Sequence, residues 1–394
     1  MKWVCLLVDV DQSGLVQTWK DQIAGLKFGL TVQYASPSEA ELLIEAGNVA
    51  SLIFFMNQAT QAPTIAPIIE AFRKKIGNLS SFMAVVCSNP QPDFLAALFE
   101  FGIENLVAME DWATEACRMV DDVATVLSDN ESLESKVVTL YQNLERGDQA
   151  AINQAAKNIE DYRQLNHLAA YAIGDAMQSI GNFGQAIESY QKSSSLNGLF
   201  RPAASKLGET FLVIGKIQEA IDVLENLEKS NPKDVERKAI LAAAYSEKGD
   251  YTTAEKLLGE ARSLGAENPK VYEAEAHLLL AQGKANDAFK LLSKLSEVGP
   301  FFATKLNEMG IKLSQANKGK SALALYQKAH KIVKRELRYK VSLNAALACY
   351  RMADFTQALA YIDRCELEYG GTLEKATKIR AACKANLNAN KQAG

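Results

Sequence analysis

The chain has few of the residues on which most chemistry depends. Its 394 residues include three histidines, His167, His277 and His330. The six cysteines (Cys5, Cys87, Cys117, Cys349, Cys365 and Cys383) form no CxxC pair and have no histidine set beside them. That spacing excludes the usual zinc and haem motifs and fits reduced thiols in a cytoplasmic protein. No nucleophile–base pair, phosphate loop or glycine-rich dinucleotide turn is present, so neither enzymatic activity nor a cofactor or catalytic metal is expected. Long apolar runs are missing as well. No segment reaches 18 consecutive apolar residues, which excludes a membrane-spanning helix. The opening "MKWVCLLVDVDQ" has an apolar stretch only from Trp3 to Val8 before Asp9 and Asp11, too short for a signal peptide. A basic excess is absent too: 43 Lys+Arg stand against 47 Asp+Glu, a net charge of −4. Nucleic-acid binders carry a basic stripe that releases counterions from phosphates, so that class of partner is excluded.

What is there is unevenly spread. Residues 1–130 hold 7 basic and 16 acidic residues, a net −9, whereas residues 131–394 hold 36 and 31, a net +5. The second part is periodic. "IGNFGQAIESYQKS" (180–193) is echoed by "IGKIQEAIDVLENL" (214–227), "KGDYTTAEKLLGEA" (248–261) and "QGKANDAFKLLSKL" (282–295). Glycines recur every 34 residues at Gly147, Gly181, Gly215, Gly249 and Gly283. Alanines do the same at Ala186, Ala220, Ala254, Ala288 and Ala322, and Ala358 follows after 36, a two-residue insertion. Each glycine suits the end of one helix, where the turn needs unusual backbone angles. Each alanine suits a close crossing of two helices. Twelve places before the alanines stand Gly174, Gly208, Ala242, Ala276, Gly310 and Ala346. Four places after them stand Tyr190, Leu224, Leu258, Leu292, Tyr326 and Ile362, which fill the space between units.

These motifs resemble the tetratricopeptide repeat family. The resemblance covers residues 133–372, about seven helix pairs, the first of them atypical because Ile152 replaces the alanine. The tail after residue 372 reads as an amphipathic capping helix. The resemblance implies an α-solenoid whose first helices line a partner-binding groove. In register, that groove takes Tyr171, Asp175, Gln178, Glu209, Ser246, His277, Asn307, Ser314 and Tyr350. The alternative is a groove used only to pack the N-terminal domain. A Lys/Asn/Arg clamp for carboxyl-terminal peptides is not in register, which argues against a chaperone-tail adaptor.

Residues 1–130 read as five strands alternating with five helices. Val/Leu-rich "WVCLLVDV", "LTVQYA", "ASLIFFMN", "FMAVVCS" and "ENLVAM" are the strands, and Ser36 or Ser38 caps the helix after the second. This implies a flavodoxin-like, doubly wound parallel sheet. The element order resembles the response-regulator receiver family. That resemblance implies an acidic pair after strand one, a phospho-accepting Asp after strand three, a hydroxyl after strand four and a Lys after strand five. Together these hold Mg²⁺ and offset phosphoryl charge. Here the acidic residues are Asp9 and Asp11, split by Val10. The acceptor position falls on Met56, and the hydroxyl position on Cys87 or Ser88. The Lys position falls on Met109, followed by Glu110, and the aromatic switch position on Leu106. A thioether can neither accept a phosphoryl group as a carboxylate does nor contact one as a cation, so the pattern implies an inactivated, pseudo-receiver domain.

Phe94, Phe99 and Phe101 read as either core or a partner face, and "KIVKRELRYK" (331–340) as either a solvated helix face or a dock for an acidic partner. Taken together, the sequence points to a non-catalytic protein–protein interaction scaffold of bacterial signalling or motility type, with self-association open. Two other readings remain. One is a phosphorylation-responsive regulator with a displaced acceptor at Asp11 or Ser88, and the other is a structural component of a large assembly.

Overall fold

The computed structural model describes residues 4–10, 31–46, 49–56, 62–76, 82–87, 90–103, 105–108, 112–265, 268–282, 284–292, 294–295, 298–333 and 335–392. Its first part is a five-stranded, all-parallel sheet in the order β2-β1-β3-β4-β5. The strands are β1 (Val4–Asp9), β2 (Thr31–Ala35), β3 (Val49–Phe55), β4 (Met83–Cys87) and β5 (Asn105–Ala108). Every residue of β3 and β4 is buried, whereas the edge strands β2 and β5 alternate with solvent. Continuous apolar runs mark the central strands because both faces of a parallel sheet are covered. Four helices are described among these strands: α1 (Pro37–Ala46), α2 (Ala62–Ile76), α3 (Pro92–Glu100) and α4 (Trp112–Ser128). The helix expected at residues 16–26 lies outside the described residues. Ser36 is the cap of α1. Its backbone N–H and hydroxyl both donate to the Glu39 carboxylate, which holds the start of the helix with Pro37 as first helical residue.

From residue 133 onward the described chain is helix pairs. They are α5 (Leu133–Arg146) with α6 (Gln149–Asn158), α7 (His167–Ser179) with α8 (Phe183–Leu196) and α9 (Arg201–Val213) with α10 (Ile217–Ser230). Then come α11 (Val235–Lys248) with α12 (Tyr251–Gly265) and α13 (Pro269–Ala281) with α14 (Ala285–Leu292). The last are α15 (Pro300–Gln315) with α16 (Gly319–Ile332) and α17 (Arg338–Arg351) with α18 (Phe355–Tyr369). A single helix, α19 (Glu374–Gln392), closes the series. The turn inside each pair needs one residue with positive φ. Gly147, Gly181, Gly215 and Gly249 supply it, with φ between 71° and 87°. Gly283 lies outside the described residues. In the next two pairs the same place is held by Asn317 (φ 57°) and Ala353 (φ 60°). The residue after the turn caps the second helix: Asp148, Asn182, Asp250 and Asp354 each accept a backbone N–H.

The six periodic alanines are fully buried, and Ile152 at the seventh place is 1% exposed. The small residues twelve places earlier face the bulky residues four places later. A Cβ on Gly174 would lie 2.5 Å from the Tyr190 ring, and one on Gly208 would lie 2.8 Å from Leu224. Gly310 meets Tyr326 in the same way. Side chain and absent side chain thus interlock within a pair.

By compactness the chain forms two units, residues 1–210 with 222–234, and residues 211–221 with 235–394. The division does not follow the change from sheet to helix near residue 130. Inside the first unit α2 packs on α5, Lys75 and Glu145 form an ion pair at 2.5 Å, and Arg73 donates to the Phe101 carbonyl. Phe94 is buried, and Phe99 and Phe101 are half-buried. Inside the second unit, the two extra residues before Ala358 are taken up by a 3-10 turn (Arg335–Leu337) and a bridge between Val298 and Val333.

Candidate functional site

Three places bring functional side chains together. The first is the carboxyl edge of the sheet. In register, Asp9 lies beside Phe55, Phe55 beside Val86, and Cys87 beside Ala108. The strand ends that carry Asp9, Met56 and Cys87 therefore converge where the strand order reverses, the place where open α/β sheets bind ligands. Met56 is fully buried and its N–H donates to the Val86 carbonyl at 3.3 Å. Cys87 is 4% exposed, and burial pushes its thiol up. Asp9 is half-buried and Leu106 is 38% exposed. Asp11, Ser88 and Met109 lie outside the described residues. Among the described residues no group of three or more His, Cys, Asp or Glu could hold a metal ion.

The second place is the inner face of the first helices. Of the nine residues expected to line an open groove, Tyr171, Gln178, Glu209, Ser246, His277 and Ser314 are less than 9% exposed. Asp175, Asn307 and Tyr350 are half-buried. Most of the residues expected to line the groove are thus buried, and several hydrogen-bond to neighbouring helices. A polar group that faces the next helix is desolvated by stacking and has to find a partner there. Asp175 accepts from the Tyr141 hydroxyl at 2.5 Å and from the Tyr190 hydroxyl at 2.6 Å. Its carboxyl is pushed up by burial, an effect that nearby Lys206 and the two tyrosines oppose. Tyr171 packs edge-on against Phe200, with ring centres 5.3 Å apart. Gln178 donates to Thr210, and Lys206 pairs with Glu209 at 3.2 Å. Ser246 donates to the Ala242 carbonyl. Asn344 donates to Asn307 at 2.6 Å, and Arg351 donates to Ser314 at 3.1 Å. The Tyr350 ring packs against Phe355.

Glu247 is the centre of a cluster that spans three helices. His277 and Lys305 each lie 2.7 Å from one of its oxygens, so one carboxylate joins α11, α13 and α15. Burial alone would raise the Glu247 pKa, but the hydrogen bonds from His277 and Lys305 outweigh it and bring the carboxyl down to about 2. The Phe301 ring packs against His277 at a tilt of 54°, centres 5.0 Å apart, and underlies the Lys305 ammonium. Sequence reasoning missed Glu247, Lys305, Lys206 and Arg351. The signal that could have found them is a charge on the helix face that the repeat register turns inward.

The third place is a cavity of about 360 Å³ in the second unit, bounded by α16, α17 and α18. At its wall His330 lies 2.5 Å from one Glu368 oxygen, and the Ser342 hydroxyl donates to the other at 2.7 Å. A serine, a histidine and a carboxylate therefore meet, but serine and histidine both bind the carboxylate. The order needed for a nucleophile, in which histidine takes the serine proton, is not formed. Ser342 itself is fully buried.

Two comparisons find nothing: no family model matches the chain, and no curated protein does. Solved structures of helical-repeat shape do match. One is titled "Crystal structure of MamA", 22% identical, covering 39% of this chain and 91% of the other with a TM-score of 0.33. A MamA fragment from Desulfovibrio magneticus RS-1 is 18% identical, covering 41% and 91%, with a TM-score of 0.34. A tetratricopeptide repeat protein from Parabacteroides merdae is 14% identical, covering 64% and 98%, with a TM-score of 0.38. Among the described residues no helix is long and apolar enough to cross a membrane.

Proposed function

We propose that the chain is a non-catalytic protein–protein interaction scaffold, in which an inactivated receiver domain is followed by a tetratricopeptide array that docks protein partners. The observation that carries this reading is Met56. It is fully buried at the carboxyl end of β3, where a phosphoryl acceptor would need an exposed carboxylate. Strand order 2-1-3-4-5, with the ends of β1 and β4 on either side of β3, supports the receiver assignment. The 34-residue helix pairs with positive-φ turns support the repeat assignment. Information would then pass through binding and not through phosphoryl transfer, in a bacterial signalling or motility setting.

The test is a titration of the full chain with Mg²⁺ and beryllofluoride, followed by amide NMR of residues near Asp9, Met56 and Cys87. Unchanged resonances support the inactive domain. Saturable shifts would replace it with a phosphorylation-responsive switch.

A further inference from the structure

The cavity between α16 and α18 is built from unlike parts. Tyr326 and Tyr361 line it, and Val341 and Ala345 on α17 add apolar surface, both less than 5% exposed. Gln327 donates to the Tyr361 hydroxyl at 3.2 Å. Two cations, Lys331 on α16 and Arg364 on α18, also border the cavity, and both are exposed. Among the described residues neither lies in an ion pair; the lining residues His330 and Ser342 engage the two oxygens of Glu368, whose charge also attracts Arg364. Arg364 lies over the Tyr361 ring at 5.7 Å. A partly apolar hollow thus has one exposed cation on each of two bordering helices.

We propose that this cavity receives the apolar side chain of a short acidic segment from a partner protein, with flanking carboxylates meeting Lys331 and Arg364. The volume lies at the low end of small-molecule pockets, which run from about 300 to 1,000 Å³. It has room for one bulky side chain. The cations border the cavity and are exposed, so carboxylates that flank an anchored side chain can reach them. A peptide laid across α16 and α18 reaches both: the anchor is desolvated and the charges steer. The basic run 331–340 begins at Lys331, and the same charge preference continues from there. The site extends the scaffold reading to the second helices of the pairs. It is independent of the phosphate question at Met56.

The test is fluorescence anisotropy on the full chain with a labelled peptide, Gly-Asp-Glu-Glu-Phe-Glu-Asp-Glu-Gly. Two controls replace the Phe by Ala, or all acids by their amides. Saturable binding is expected, at least tenfold weaker for either control peptide and weaker at 300 mM than at 50 mM NaCl. The pair Lys331→Glu and Arg364→Glu should lose at least tenfold, while Lys256→Glu, exposed elsewhere, should lose nothing. Circular dichroism melting checks that the variants fold, and Lys331→Ala with Arg364→Ala replaces the reversals if they do not. Equal binding of all three peptides, or none by any, overturns the proposal. Displacement of the peptide by millimolar inorganic phosphate overturns it in favour of a free-anion site. Self-association in sedimentation that the charge reversals abolish overturns it in favour of a second copy of this chain. None of these outcomes bears on the beryllofluoride experiment, so the two readings fail separately.

Discussion

At the turn between α17 and α18 an alanine holds a backbone conformation that four earlier repeats give to glycine. Ala353 has φ 60°, where its Cβ crowds the following carbonyl at a cost of about 1–2 kcal/mol. Ala353→Gly removes that strain and adds unfolded-state entropy, a smaller opposing effect. The substitution should stabilise the chain by about 0.5–1 kcal/mol in urea unfolding. Asn317→Gly should do less, because asparagine tolerates the left-handed region. No gain at Ala353 would show that this turn is relaxed. Glu247 gives the second residue-scale outcome. Its folded pKa of about 2 lies below the ordinary carboxylate value. A depressed carboxylate contributes stability that is present above its unfolded pKa and is lost as pH falls through the folded one. The window therefore runs from about pH 4.5 down to about 2. With partial solvent screening the contribution is of the order of 2 kcal/mol. Glu247→Gln should be less stable than the native chain at pH 7, with the gap closing as pH falls from 5 toward 2. A gap that stays constant over that range would remove the charge from the explanation.

The last described helix packs on the pair before it. Helix α19 places Ala376 against Ala346 and Ile362, and Cys383 against Cys349 and Ala358. A helix-pair array leaves its last pair with one open apolar face, and a terminal helix has to cover it. Burial pushes the Cys349 and Cys365 thiols up to about 11, so neither is a ready nucleophile in the folded chain. Cys117 is only half-buried and should react first with an aromatic disulfide reagent. Removing residues 374–392 should speed the labelling of Cys349 by at least tenfold and lower the melting temperature. Unchanged labelling of Cys349 would mean that α18 alone shields it. Much of this level was legible in the sequence. The 34-residue spacing of glycine and alanine located the turns and crossings, because both positions are set by sterics that few residues satisfy. The inward charges were less legible. Glu247, Lys305 and Arg351 look like ordinary surface residues until the register of the next helix is known. For the same reason the burial of Gln178, Glu209 and His277 was not legible.

For the molecule as a whole, the sequence suggests a boundary near residue 130, where net charge changes from −9 to +5 and the helix-pair period begins. Compactness divides the chain elsewhere, and sheet and early helix pairs share one unit. The physical reason is local to α2 and α5. Helix α2 has a second apolar and charged face that α5 covers, with Lys75 reaching Glu145. Hydrophobic pattern shows that α2 has a buried face. It does not show which later element supplies the cover, since that contact joins residues about 70 apart. The ion pair itself, half-exposed, is worth no more than about 1 kcal/mol. The cover is mainly packing. Residues 1–130 alone should therefore melt several degrees below a fragment ending at residue 166, which keeps α5 and α6. Calorimetry of the two fragments decides it. Equal melting temperatures would make the sheet a self-sufficient domain merely tethered to the array, whereas a lower value for the shorter piece makes the first helix pair part of the sheet domain's own stability. In the second case, a partner that pulls on α5 would act directly on α2, the helix that leads out of the segment after Met56.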